Sequence, residues 1–172
     1  MSLFDTELTT IELPGYRWVA LRTHRAREPV PATSAHQQLH AFLMDPAYVD
    51  EYWNFADEHE VAHGPFLLAR ISGEDYLEHS PAVGLQEVHD AVLKGRGVYR
   101  ECAPPPGVEA MHEVHKCLGR IPENCAYFQL HLDLEMDRDR MSEAGWIFCE
   151  YEEHLFLSAD GSEIHSVTIG CD

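Results

Sequence analysis

The pentapeptide His59-Glu60-Val61-Ala62-His63 combines residue types that can perform hydrolytic chemistry. If this segment is helical, its two imidazoles lie one turn apart, where both can bind the same zinc ion. Glu60 would then be positioned to activate a zinc-bound water as the catalytic residue. A third ligand would have to come from downstream, from Glu74, Glu78, His79 or Glu87.

Over these five residues the sequence resembles the zincin metalloproteases, whose H-E-x-x-H motif lies on a helix. The resemblance implies a zinc ion held by His59 and His63, and therefore a zinc-dependent hydrolase. Gly64-Pro65 follows the motif directly and is expected to end the helix. A second interpretation is that the two imidazoles simply occupy the last helical turn, where positive charge is favourable.

A predicted β-hairpin near the C-terminus carries the second set of candidate residues. Asp160-Gly161 is a favoured two-residue turn, which places Phe156 opposite His165 and His154 opposite Val167. The two-residue period of a strand then assigns several polar side chains to one face of the hairpin. The residues expected on this face are Glu150, Glu152, His154, Phe156 and His165.

A preceding strand would add His131 and Asp133 to this face if it pairs beside the hairpin. His131-x-Asp133 followed by a later His resembles the facial triad of the non-haem iron dioxygenases, which implies a divalent metal. The sequence also fits a solvated outer face of an antiparallel sheet, or a recognition face. The candidate metal ligands of this second set are His131, Asp133, His154 and His165.

Acidic residues dominate the charge of the chain. Its 172 residues include 30 Asp and Glu against 12 Lys and Arg, a formal net charge of −18. Repulsion from phosphates argues against direct binding to nucleic acid or to an anionic membrane. Residues 28–69 and 141–172 contain acids and no Lys or Arg, so we expect negative surfaces in these two stretches.

The preferred functional interpretation is a non-enzymatic acidic binding protein that captures a basic protein partner, in the manner of an inhibitor, an immunity protein or a nucleic-acid mimic. Complementary charge would steer the association. No cofactor is required, although zinc or another divalent metal is compatible with the histidines. Binding of a cationic small molecule is a further alternative. The expected binding face comprises Tyr52, Trp53, Asp57, Glu58, Glu150 and Glu152.

These residues are expected to be positioned by one α+β domain spanning 1–172, with a weak subdivision near 103–106. The predicted order is β-αα-β-αα-βββ, a mainly antiparallel sheet of about five strands with helices on one face. Five cysteines without C-x-x-C spacing, and the lack of an N-terminal apolar segment, indicate a cytoplasmic protein. Predicted helices cover 34–44, 45–63, 80–95 and 107–119, and predicted strands cover 16–24, 66–72, 128–136, 146–158 and 163–169.

Overall fold

The computed structural model describes residues 2–28, 34–49, 61–95, 104–143 and 145–171. Within these ranges, the chain forms eight strands and three α-helices. In chain order they are β1 (Phe4–Leu13), β2 (Arg17–Ala26), α1 (Ala35–Leu43), β3 (Ala62–His63), β4 (Phe66–Leu67), β5 (Tyr76–His79), α2 (Pro81–Lys94), α3 (Val108–Leu118), β6 (Cys125–Leu130), β7 (Glu150–Ser158) and β8 (Glu163–Cys171).

Six of these strands form one antiparallel sheet in the order β1-β2-β8-β7-β6-β5, while β3 and β4 form a separate two-stranded hairpin. The prediction of an α+β fold with a mainly antiparallel sheet is therefore confirmed. The described residues contain more strands and fewer helices than expected. The strands that were not predicted are β1, β3 and β5, and two of them, β1 and β5, are the edge strands of the sheet. The sequence of β1, FDTELTTIEL, is polar at most positions because most of its side chains are exposed.

Helices cover both faces of the sheet, which differs from the predicted one-sided packing. On one face, Leu39 and Phe42 of α1 pack against Phe128, Leu155 and Ile164 of the sheet. On the other face, α2 and α3 bury a second cluster. That cluster includes Val88, Val92, Val114, Tyr127, Phe156, Val167 and Ile169. Because both faces are covered, β7 and β8 are buried almost from end to end.

The predicted boundaries of the helices are confirmed where a local cap sets them. The Ser34 hydroxyl accepts a hydrogen bond from the Gln37 amide and begins α1. Pro81 occupies the first turn of α2, and Gly95 ends it with a φ of 62°. None of the helices in the described ranges is long and apolar enough to cross a bilayer.

The helix predicted over 45–63 is wrong at both described ends. Asp45 caps only a short 3-10 helix, Pro46–Tyr48, and Ala62-His63 form a strand, while residues 50–60 lie outside the described part of the chain. The left-handed φ of 55° at Gly64 turns the backbone into the β3–β4 hairpin. The predicted strand over 66–72 likewise stops at Leu67, where a 3-10 helix follows.

Strand β6 ends at Leu130 although the apolar alternation continues to Met136. The Asp133 carboxylate accepts hydrogen bonds from the backbone amides of Glu135 and Met136, which closes a turn in place of a ladder. Met136 is 83% exposed. The two-residue pattern therefore predicted six residues of strand too many.

Candidate functional site

His63 is the only member of the H-E-x-x-H string whose type can bind zinc and whose position is described. It lies in β3, not on a helix, and its Nε2 is 2.9 Å from Glu153 Oε2. His59 and Glu60 lie outside the described residues. The expected helical pairing of imidazoles is therefore wrong at His63. Across the described ranges, no group of three or more His, Cys, Asp or Glu is arranged to hold a metal ion.

The second set of candidate ligands is dispersed, contrary to prediction. His131 and Asp133 follow the end of β6 and are exposed. His154 and His165 lie in the predicted hairpin register, but α2 and α3 cover that face, so it is not a solvated one. His154 Nδ1 is 2.8 Å from the Tyr127 hydroxyl, and His165 Nδ1 is 3.2 Å from Thr23 Oγ1.

The predicted binding face is not displayed by the hairpin. Glu150 is 5% exposed, and its Oε2 lies 2.8 Å from Arg17 Nε, inside the layer beneath α2. Glu152 is partly buried, 3.4 Å from His154 Nε2. The remaining members, Tyr52, Trp53, Asp57 and Glu58, lie outside the described residues.

A buried polar network lies on the opposite face, between the sheet and the segment after α1. Glu153 of β7, 1% exposed, accepts hydrogen bonds from His63 Nε2 at 2.9 Å and from the Tyr76 hydroxyl at 3.0 Å. The Tyr48 hydroxyl is 2.6 Å from that of Tyr76, and the Tyr48 ring stacks on His63 at 3.9 Å. The Glu153 carboxylate thus contacts His63 and Tyr76 directly and Tyr48 through Tyr76, so it connects three aromatic side chains from three separate segments.

His24 extends the polar layer along the same face. Its Nδ1 is 2.9 Å from Thr6 Oγ1 and its Nε2 is 3.2 Å from Ser166 Oγ. Burial lowers the pKa of His24 to about 3, because the imidazolium would lose its hydration. Burial, reinforced by the nearby Glu153 carboxylate, raises the pKa values of Tyr48 and Tyr76 well above their ordinary value.

A cavity of about 10 Å³ lies between His24 and His63, with Arg22 and Ser166 also in its wall. This is about the space that one water needs. Nε2 of His63 contacts Glu153, and its buried Nδ1 has no hydrogen-bond partner among the described groups. The cavity can hold one small hydrogen-bonding molecule, but it is too small for an organic substrate.

Replacing Tyr76 with Phe should lower the free energy of unfolding by about 1–3 kcal/mol, since it leaves the buried Tyr48 hydroxyl and Glu153 without their shared partner. Urea unfolding measures the change. Tyr16→Phe is the control, because Tyr16 is 85% exposed, and it should leave the free energy of unfolding unchanged. Equal stabilities for Tyr76→Phe and the wild type would contradict the network.

Most cations of the chain form ion pairs with carboxylates. Seven of its 12 Lys and Arg residues lie within ion-pair distance of a carboxylate in the described ranges. Except for the buried Arg17–Glu150 pair, these pairs are at or near the surface. The remaining carboxylates therefore set the sign of the surface potential, which is negative. The paired cations are Arg17, Arg25, Arg27, Lys94, Lys116, Arg120 and Arg140.

An open apolar groove of about 680 Å³ separates the end of α1 from the segment over 61–73. Its wall contains Leu43, Met44, Leu68 and Ile71, and Met44 is 76% exposed. The segment continues into the exposed Glu74 and into Asp75, which pairs with Arg140. Arg70 and His40 also line the groove, so it combines apolar surface with one basic side chain in its wall and the Glu74 carboxylate next along the chain.

Neither the buried network nor the groove was predicted from the sequence. One signal for the network exists: Glu153 lies between Tyr151 and Leu155 on the strand positions that face the core. A carboxylate at a core position must find partners, so its register alone could have identified a buried polar site. The groove has no such signal, because it depends on how the chain folds after His63.

No known protein-family model matches the sequence, and a comparison with curated proteins finds no match. Among solved structures, the crystal structure of citrus MAF1 is similar to this chain with a TM-score of 0.42. The two sequences are 12% identical, and the alignment covers 91% of this chain and 90% of the MAF1 chain. The function is therefore argued from the residues of this chain.

Proposed function

We propose that this chain is a non-enzymatic acidic binding protein that captures a basic protein partner. The observation that carries the proposal is the excess of 30 Asp and Glu over 12 Lys and Arg, together with the pairing of most of these cations with carboxylates in the described ranges. A net charge of −18 then attracts Lys- and Arg-rich surfaces over a distance of about 10 Å at moderate salt. Charge of this kind accelerates association and rejects acidic competitors.

The groove beside α1 supplies the apolar contacts that long-range charge alone does not give. Leu43, Met44 and Ile71 can receive the apolar face of an amphipathic segment. The exposed Glu74, which follows the wall residue Gly73 in the chain, can contact its basic residues. This division of roles is typical of helix-in-groove recognition. The proposed partner is therefore basic on one face and apolar on the other.

A synthetic helical peptide with Leu on one face and Lys on the other is the probe that tests this proposal. We expect saturable binding that weakens steeply as salt rises, and no binding of a peptide in which Glu replaces Lys. Glu74→Lys should weaken binding about three- to fivefold, the effect of a charge at the rim of an interface. Isothermal titration calorimetry measures these affinities.

Glu109→Lys is the matched control, since Glu109 is also exposed but lies on α3, on the opposite side of the sheet. It makes the same change in net charge and should leave the affinity nearly unchanged. If both variants weaken binding equally, the groove is not the site. Salt-independent binding would contradict the electrostatic proposal itself.

The groove also supports a second candidate function, the binding of a cationic small molecule. Its volume of about 680 Å³ is within the range of small-molecule sites. A panel of lipophilic cations distinguishes the two functions: a rise in melting temperature that saturates with one cation, without affinity for the basic peptide, favours the small ligand.

A further inference from the structure

We propose that the free edge of β1 is a self-association surface, on which a second copy of this chain adds its own β1 to form one continuous antiparallel sheet. This inference is independent of the proposed capture of a basic partner. It rests on an unpaired backbone edge, a register that suits two identical strands, and local neutralisation of charge.

Strand β1 is the first strand of the six-stranded sheet and pairs only with β2 among the described strands. In an antiparallel pair, residues that bond to the neighbour alternate with residues whose backbone groups point away. Leu3 lies opposite Arg27 in the register of β1 and β2, and the Arg27 amide donates a hydrogen bond to the Leu3 carbonyl. Every second residue from Leu3, which means the odd-numbered residues of β1, therefore has its backbone groups directed to β2. The residues that point away are therefore Thr6, Leu8, Thr10 and Glu12.

These four outward residues are all exposed, and no described residue donates to or accepts from their backbone groups. The next outward position, Phe4, is already satisfied by the Ser2 hydroxyl. The strand has ten residues without Pro, Gly or Lys, and of its three acids only Glu12 is at an outward position. The opposite edge, β5, has only four residues. β1 is therefore the edge that is open to pairing.

The sequence of β1 is compatible with antiparallel pairing to itself about a twofold axis at Leu8. Outward residues then oppose outward residues: Leu8 faces Leu8 of the second copy, and Thr6 faces Thr10. Leu8, 43% exposed in one chain, becomes covered, and the threonine pairs suit a pleated surface. Asp5, Glu7 and Glu12 would face Ile11, Thr9 and Phe4, so no acid directly opposes an acid.

Charge in the first half of this edge is partly neutralised, in contrast to the chain as a whole. Arg27 Nη2 lies 2.6 Å from Asp5 Oδ1, while Arg25 and Arg120 both contact Glu7, at 3.2 and 3.4 Å. Arginines thus neutralise both carboxylates in the first half of the strand. Two copies with a net charge of −18 each can therefore approach at this edge with less repulsion than elsewhere.

Sedimentation equilibrium of the full chain over a wide range of concentration is the test. We expect a monomer–dimer equilibrium that strengthens as salt rises, because screening reduces the repulsion between two acidic chains. Capture of a basic partner should instead weaken with salt, so the two proposals fail separately. Leu8→Lys should raise the dimer dissociation constant at least tenfold, since two like charges would meet at the axis.

Leu77→Lys is the matched control, because Leu77 is 44% exposed and lies on the other edge strand. It should leave the dimer unchanged. Hydrogen exchange supplies a second readout: the amides of Thr6, Leu8 and Thr10 should become protected as concentration rises. A monomer under all conditions overturns the proposal, as does a dimer that survives Leu8→Lys or is equally lost in Leu77→Lys.

Discussion

Glu150→Leu should lower the free energy of unfolding by about 3–5 kcal/mol, a large fraction of the 5–15 kcal/mol typical of a domain. Glu150 and Arg17 are 5% and 2% exposed, and they form an ion pair of 2.8 Å beneath α2. Removing the carboxylate leaves a guanidinium in a layer from which water is excluded. Its remaining acceptors are the carbonyls of Ala91 and Val92, which carry no full charge.

The double variant Arg17→Met/Glu150→Leu separates the loss of a partner from the value of the pair. Replacing both charges by apolar side chains of similar size should recover most of the lost stability, since the buried charge disappears. Recovery should be incomplete, because the carbonyls of Ala91 and Val92 lose their donor. Guanidinium unfolding measures all three proteins. A loss below 1 kcal/mol in Glu150→Leu would mean that the guanidinium reaches water.

Features encoded over short stretches of sequence could be predicted correctly. Ser34 marks the start of α1 because its hydroxyl accepts from an amide three residues away. Asp160-Gly161 sets the hairpin register because turn geometry determines which residues face each other, and Phe156 does pair with His165. The start of α1 and the register of the hairpin each depend only on neighbouring residues.

Features that depend on distant partners could not be predicted. Glu150, Glu152 and His154 alternate like the solvated face of a sheet, but the compensating groups come from other elements. Arg17, 133 residues away, supplies the charge for Glu150, and Tyr127 supplies a hydrogen bond to His154. Polarity at a sequence position therefore did not distinguish an exposed side chain from a buried one with a partner.

The histidines of the candidate site also have partners from distant segments of the chain. His63 and His154 are assigned to metal ligation by their spacing, whereas in the structure His63 contacts Glu153 and His154 contacts the Tyr127 hydroxyl. Histidine satisfies both roles with the same atoms. The spacing within one segment carries no information about which partner the other segments bring.

His24 should make the folded state lose stability as pH falls below 6.5. In the unfolded chain, a histidine binds a proton near pH 6.5, but burial lowers the pKa of His24 in the folded chain to about 3. Between these values the unfolded state holds more protons, so stability decreases as pH falls, with a slope of up to about 1.4 kcal/mol per pH unit. This residue alone should remove about 4 kcal/mol by pH 3.

His24→Gln tests this assignment because the glutamine amide can replace Nε2 as the partner of Ser166 but does not titrate. Urea unfolding of both proteins from pH 3 to pH 8 should give a stability difference that changes with pH only below about 6.5 and in favour of the variant at low pH. Thr6→Val is the control: it removes a hydrogen bond of His24 and keeps the imidazole, so stability falls while the pH dependence persists. Parallel pH profiles for His24→Gln and the wild type would show that the imidazole is hydrated when protonated, and that the layer between α1 and the sheet admits water.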